Sequence, residues 1–501
     1  MIHAPSANPS PGSSWMLDLP GSPLGIAWFF LYGYSGVPAA PYLPQLRSLG
    51  AGLTKVYLFW QQVEPEKGRF DWSAADAYVD QLQSPEEGLI AIFSSSLWGA
   101  KKPSALLPPS PAKNLDDYHE FIHALVRRYR GRVRYWQNDS EPNNPVYWSG
   151  SAEEFVAQLR VFARAVRAAD PEAVVVAGGY DGLFVPPGLT PRPGQRATPF
   201  PRQEEGLAFF DLVLQTGADS FDCFDLRLYG DPYTIAARVD YIRGRMAVFA
   251  CPKPIVCTEY GGPNFFEFPE NRKYLPLLGR WSQAVGQPGE PGEPVDDHAG
   301  GAQIEQLYAN MDSLAPQTRM FLQGCEAALE AKYHRLQSRG IVMRNLLAFA
   351  AGVQKMIYWD LLHVPGPRDD LMNLMYGKIG LLAVENGALA RPTPSAAAYR
   401  HMAQTLAGVR AVARVMVDGS PDLFVFKIDR GPRGPVHVAW ERREAFAGED
   451  APATVCRLPW TAPGATATDA FGASVPTEVR AGQVEFLLSL TPVYLEPAIL
   501  P

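Results

Sequence analysis

The sequence predicts an α/β chain: a (β/α)8 TIM barrel followed by a C-terminal antiparallel β-domain. Three observations predict it. Between Leu24 and residue 408, apolar β-rich runs alternate with helical stretches, and the runs number eight, as such a barrel requires. Beyond residue 409 the texture changes to short alternating runs between Gly/Pro turns, the pattern of a small antiparallel β-domain. The length, 501 residues, suits one barrel of the usual size with an appendage.

Residues 1–20 form a Pro/Ser-rich lead, expected to be extended; residues 21–408 are assigned to the barrel and 409–501 to a β-sandwich-like domain. The first strand is LGIAWFFLYG (24–33), followed by YLPQLRSLG (42–50), a helix that ends at glycine. TKVYLFW (54–60) is the second strand, and Ser73 can cap the helix after it. GLIAIFSSS (88–96) is the third. LDDYHEFIHALVRRYRG (115–131) is an amphipathic helix with Phe121, Ile122, Leu125 and Val126 on one face. The fourth strand runs from Val133 to Trp136, and helix 151–170 leads to the fifth, AVVVAGG (173–179). GLAFFDLVLQTGA is a helix before the sixth strand, FDCFDLRLYG (221–230). TIAARVDYIRGRMAVF is the next helix, before the seventh strand, PIVCTEYG (254–261). Helices around 302–350 lead to the eighth strand, VQKMIYWDLLH (353–363), and AAAYRHMAQTLAG (396–408) closes the set. Insertions follow strand 5 (Asp181–Gln203) and strand 7 (Asn264–Pro294), the latter loosest at PGEPGEP. The C-terminal runs are ARVMV, DLFVFKI, VHVAW, ATVCRL, QVEFLLSL and VYLEP.

The totals exclude several classes of function. Hydrophobic residues at 47% and charged residues at 19% describe a globular chain with ample core. A net charge of -7 does not suggest a nucleic-acid partner. Five cysteines with no CxxC argue against a disulfide framework or a zinc ribbon. No apolar run reaches roughly 18 residues, so no membrane partner is expected. The N-terminus lacks a basic region followed by an apolar core, which makes cytoplasmic the default; a secreted chain trimmed of its leader would read the same. The insertions leave room for oligomer contacts.

Two stretches concentrate chemistry. VRYWQNDSEPNNP carries Glu141 before a proline, at the end of strand 4, and KPIVCTEYGGP carries Glu259 before a glycine break, at the end of strand 7. In a barrel the strand ends face one rim, and two carboxylates there are what acid/base and nucleophilic work on a glycosidic bond requires.

These residues resemble the retaining glycoside hydrolases of clan A, with strand-4 signature W-x-x-x-N-E-P-N and a strand-7 signature ending in T/S-E; the texture is closest to family 39, with family 5 enzymes also similar. The resemblance covers most of residues 24–408, including the run from Trp60 to Trp72 and the RYRGRVRYW lead into strand 4. It implies hydrolysis of a glycosidic bond, expected to be β-linked, in an oligosaccharide or glycoside, with no cofactor and no metal. Glu141 would be the acid/base, needing a raised pKa, and Glu259 the nucleophile. Tyr229 would hydrogen-bond the nucleophile, and Trp359 would floor the sugar subsite. Arg227 stands where some families of the clan have histidine. Trp60, Trp98, Tyr147 and Trp148 could stack on sugars or simply pack. One departure matters: Ser140 stands where the clan has the asparagine that donates to the sugar 2-hydroxyl. Either the substrate differs at that position, or Asn138, Asn143 or Asn144 substitutes, or activity is weak.

Two rival readings remain. HEFIH (119–123) satisfies the H-E-x-x-H pattern of a zinc metallopeptidase, with His119 and His123 as ligands and Glu120 as base. On the barrel reading that helix packs outside the strands. A non-catalytic carbohydrate-binding barrel is the other, on account of Ser140.

Overall fold

The computed structural model describes residues 15–16, 19–30, 42–180, 203–285, 300–363, 366–385 and 388–498. Residues 31–33 of the expected first strand, the insertion at 181–202, the PGEPGEP stretch and most of the N-terminal lead lie outside the described residues.

Eight parallel strands close into a barrel. They are β1 (Leu24–Phe30), β2 (Thr54–Phe59), β3 (Gly88–Phe93), β4 (Tyr135–Asn138), β5 (Val174–Tyr180), β6 (Cys223–Leu226), β7 (Ile255–Tyr260) and β8 (Met356–Tyr358). Closure is made by β1, which pairs with β2 at Ile26↔Thr54 and with β8 at Leu24↔Met356. Helices α1 (Leu43–Ser48), α2 (Ser73–Val79), α3 (Leu115–Arg128), α4 (Ala152–Ala169), α5 (Gln203–Thr216), α6 (Ile235–Val248), α7 (Ala327–Ala350) and α8 (Pro394–Leu406) follow the strands in turn. Ser151 caps α4 in a reciprocal capping box with Glu154, each side chain taking the other's backbone N–H.

Strand alternation separates two apolar layers. Val56 and Leu58 of β2, Ile90 and Ile92 of β3 and Trp136 of β4 face the helices, whereas Tyr57, Phe59, Ala91, Phe93 and Tyr135 fill the interior. The fourth strand begins two residues later than its sequence suggested. Trp136 therefore lies within the strand, buried against the helical layer, and the turn carrying Glu141 leaves directly after Asn138. The eighth strand is shorter than expected, because Leu362–His363 pairs separately with Leu382–Glu385.

The insertion after β7 has its own core. Phe265, Phe266, Phe268, Leu277, Ile304, Phe321 and Tyr333 pack together there, with Val146 from the turn after β4 and Phe446 from the β-domain.

The C-terminal strands are β9 (Ala411–Val415), β10 (Leu423–Asp429), β11 (Val436–Glu441), β12 (Thr454–Pro459), β13 (Ala465–Asp469), β14 (Thr477–Arg480), β15 (Gln483–Leu488) and β16 (Val493–Pro497). Of these, β13 and β14 were not anticipated: ATATD and TEVR hold too few apolar residues to read as strands. A six-stranded sheet runs in the order Trp15–Met16, β9, β10, β11, β16, β13, and a second sheet is β12–β15–β14. The N-terminal lead thus contributes a strand, with Trp15 opposite Val412. Phe424, Phe426, Val438 and Trp440 join the barrel's helical core, while Val425, Ala439 and Leu495 pack on Cys456, Leu458, Val484 and Phe486 of the second sheet. Glu449 of this domain accepts from Arg335 at 2.8 Å and from Arg339 at 2.8 Å, both on α7.

Candidate active site

Beneath the rim the barrel interior turns polar. Lys55 of β2, Gln137 of β4, Asp225 of β6 and Thr258 of β7 are each buried and linked. Gln137 Nε2 donates to Asp225 Oδ2 at 2.8 Å, Thr258 N–H donates to Asp225 Oδ1 at 2.7 Å, and Lys55 Nζ donates to Thr258 Oγ1 at 2.9 Å. Sequence reasoning missed these residues. The signal was present: a lysine inside the apolar run TKVYLFW, and Asp225 and Arg227 two apart, hence on one face of their strand.

Above this layer three hydrogen-bond donors and the Arg227 guanidinium converge on Glu259, which is 8% exposed. Lys55 Nζ reaches Oε1 at 3.1 Å, and the Tyr57 hydroxyl and Arg227 Nη1 meet the same oxygen. The Tyr229 hydroxyl donates to Oε2 at 3.2 Å. Burial lowers the Lys55 ammonium well below the ordinary lysine range, with Arg227 adding to the effect. Burial also opposes the Arg227 cation, but Asp225 and Glu141 outweigh it and raise its pKa. For Tyr229, burial raises the phenol well above its usual value, so it stays a donor.

Arg227, fully buried, ties the site together. Its Nε donates to Asp225 Oδ2 at 3.0 Å, its Nη2 to Ser140 Oγ, and its Nη1 lies 3.6 Å from Glu141 Oε1. Gly179 of β5 makes room for it: a Cβ there would lie 2.6 Å from Arg227 Nε. Both glutamates therefore meet one guanidinium nitrogen, no farther apart than two ion-pair contacts.

The turn that carries Glu141 is held from behind. Asp139 and Glu141 adopt left-handed backbone conformations, with φ of 52° and 46°, uncommon for residues other than glycine. Ser94 N–H donates to Asp139 Oδ1 at 3.1 Å and Gln158 Nε2 donates to Oδ2 at 3.3 Å. Burial pushes the Asp139 carboxyl up to about 7.

The remaining expected residues separate into two groups. Trp359 is partly buried, its ring edge-on to Tyr57 at 5.8 Å, so it lies beside the glutamate cluster. Asn143 is partly buried near Gly206 of α5. Trp60, by contrast, is fully enclosed by Trp98, Tyr118 and Phe121 and donates to Glu64 at 2.8 Å. It presents no face to a ligand because it begins the short helix Trp60–Val63, which turns it behind the rim. Trp148 is buried against Phe155 and donates to Ser151 O. Trp98 keeps partial exposure. Asn138 points away from the interior and accepts from Tyr118 at 3.0 Å.

His119, Glu120 and His123 lie on α3, whose Phe121, Ile122, Leu125 and Val126 face the core. The two imidazoles stack on each other at 6.0 Å. No group of three or more potential metal ligands occurs among the described residues, and none of the described helices is long and apolar enough to cross a membrane.

No family model matches the sequence. Among solved structures, the chain is similar to a family 39 glycoside hydrolase from the gut symbiont Bacteroides cellulosilyticus WH2, at 15% identity and a TM-score of 0.60 over 95% of this chain and 81% of that one. A monomeric β-xylosidase from Caulobacter crescentus CB15 matches at 15% identity and a TM-score of 0.55, covering 95% of this chain and 96% of the other. A glucosidase from Croceicoccus marinus matches at 13% identity and a TM-score of 0.53, covering 98% and 97%. The chain thus shares with these enzymes, over nearly its whole length, the fold anticipated from its eight alternating strand and helix runs and its C-terminal β-rich texture.

Proposed function

We propose that this protein is a retaining glycoside hydrolase in which Glu259 is the nucleophile and Glu141 the acid/base. The observation that carries the reading is the convergence of the two glutamates on Arg227 Nη1 at the rim of the barrel. Two carboxyls that share one contact atom are close enough for double displacement, whose carboxyl separation is about 5–5.5 Å. Glu259 is suited to attack because its donors hold it as an oriented anion. Glu141 is suited to proton transfer because it stands at the mouth of the turn, and its backbone is fixed by Asp139 and the buried Pro142. The fold shared with a β-xylosidase supports a β-glycoside as substrate.

The test is hydrolysis of a panel of aryl α- and β-glycosides by wild type, Glu141→Ala and Glu259→Ala, with and without azide. The expected result is one sugar cleaved, Glu259→Ala inactive, and azide rescue of Glu141→Ala to a product of retained configuration. Turnover that survives Glu259→Ala would refute the assignment. A carbohydrate-binding barrel would instead bind a sugar and leave the whole panel uncleaved. A metallopeptidase working through His119 and His123 would lose activity on EDTA treatment, whereas the glycosidase keeps it.

A further inference from the structure

The reaction proposed above moves a charge, and Arg227 touches both ends of that movement. In the first step a Glu259 oxygen bonds to the anomeric carbon, the bond from that carbon to the departing oxygen breaks, and Glu141 gives its proton to that oxygen. The Glu259 negative charge disappears into an ester and a negative charge appears on Glu141. In the second step water bonds to the anomeric carbon, its proton passes to Glu141, the ester bond breaks and the Glu259 carboxylate returns. The two glutamates together carry one negative charge throughout; only its position changes.

Resting on that reading, we infer that Arg227 is the shared counterion of the pair: it passes its ion pair from Glu259 to Glu141 as the ester forms and so readies Glu141 to take a proton from water. Arg227 Nη1 meets Glu259 Oε1 and stands 3.6 Å from Glu141 Oε1. Its other nitrogens are committed, Nε to Asp225 at 3.0 Å and Nη2 to Ser140 Oγ, so the guanidinium cannot leave when Glu259 is neutralised. A buried cation that loses one anion attracts those that remain more strongly: Asp225, already bound at 3.0 Å through Nε, and Glu141, which stands 3.6 Å from the nitrogen that Glu259 gives up. The other charged or titratable groups around the pair are Lys55 and Tyr57 from β2, Asp139 behind β4, Asp225 from β6, Tyr229 just after it, and Cys257 from β7. Ser140 fits this account. Its hydroxyl oxygen takes an Arg227 N–H and anchors the guanidinium beside the acid/base, the position at which its sequence departs from the clan. Arg227 is thus a positioning residue that acts through Glu141.

The experiment is pre-steady-state hydrolysis by full-length wild type, Arg227→Met and Arg227→Lys. The probe is the 2,4-dinitrophenyl glycoside of the sugar selected by the aryl-glycoside panel. Its leaving group needs no proton, so the burst reports attack by Glu259 and the steady rate reports water activation by Glu141. In Arg227→Met the burst rate is expected to stay within about tenfold of wild type while the steady rate falls by about 100-fold or more, as for a lost general base. Mass spectrometry should then find the ester accumulated on Glu259, and azide, which needs no base, should restore turnover. Equal loss in both phases, or an unchanged steady rate, overturns the inference.

Arg227→Lys covers the case in which the methionine variant does not fold. In wild type the acid limb of ester breakdown should lie below the basic limb of kcat/KM for a poor leaving group, and that gap should narrow in Arg227→Lys. An unchanged gap overturns the inference. Absence of a Glu259 ester in wild type sinks both this inference and the function it rests on, whereas a wild-type ester with Arg227 variants of unaltered kinetics sinks this one alone.

Discussion

Glu449→Gln removes the charge at the centre of the contact between the β-domain and α7. In the wild type the Glu449 carboxylate takes Arg335 and Arg339 at 2.8 Å each and Lys332 at 3.3 Å. Burial works against the charge, but the hydrogen bonds from the two arginines outweigh it and hold the carboxyl at about 2. Against an unfolded value near 4.3, that depression of roughly two units corresponds to about 3 kcal/mol of stability. Because the folded pKa is depressed, the contribution is complete above the unfolded value and is lost as the pH falls towards 2. The assay is urea unfolding of wild type and Glu449→Gln at pH 7 and at pH 3, followed by tryptophan fluorescence. The expected gap is about 3 kcal/mol at pH 7 and about half that at pH 3. A gap that is the same at both pH values would refute the reasoning, since the loss would then come from packing rather than from ionisation. So would a gap under about 0.5 kcal/mol at pH 7, which is what an exposed pair gives.

Three other outcomes follow from the site. Asp139 has the opposite sign: its carboxyl is raised to about 7, so the folded state is penalised progressively as the pH rises from about 4 to 7. Asp139→Asn should therefore flatten the thermal-stability profile across that window, read by the melting temperature at each pH; a profile parallel to wild type would contradict it. Gly179→Ala pushes a methyl group against Arg227 and Asp225 and should cost about 1–3 kcal/mol in chemical denaturation, together with most of the activity. Tyr229→Phe deletes one donor to Glu259 and should lower kcat/KM by about 10–100-fold, the value of a hydrogen bond to a charged group, with little change in melting temperature.

How much of this was legible in the sequence depended on whether a residue's role was local. The barrel was readable because each strand is a compact apolar run and each helix carries its own face, as with Phe121, Ile122, Leu125 and Val126. Glu141, Glu259 and Tyr229 could be singled out because each sits in its own strand-end motif, and the structure brings the three together. Lys55, Gln137 and Asp225 were not, because their partners lie on other strands: Lys55 meets Thr258 and Glu259 some two hundred residues away. The aromatic residues show the same limit. Trp60 and Trp359 both end a strand-like run, yet one is enclosed behind the rim and the other lies beside Tyr57. Strand identity is encoded locally, but which way a strand-end residue turns is decided by what packs on it.

The pairing of Trp15 and Met16 with β9 ties the start of the chain to its final domain. The path begins in the outer sheet, runs through all eight barrel strands and returns to the same sheet. Such a circuit makes modular dissection a poor strategy. A fragment cut near residue 409 would strip Phe424, Phe426 and Trp440 from the barrel's helical layer, and a fragment starting at the first barrel strand would leave the β9 edge bare. Anyone wishing to graft this barrel onto another protein should transplant the chain whole.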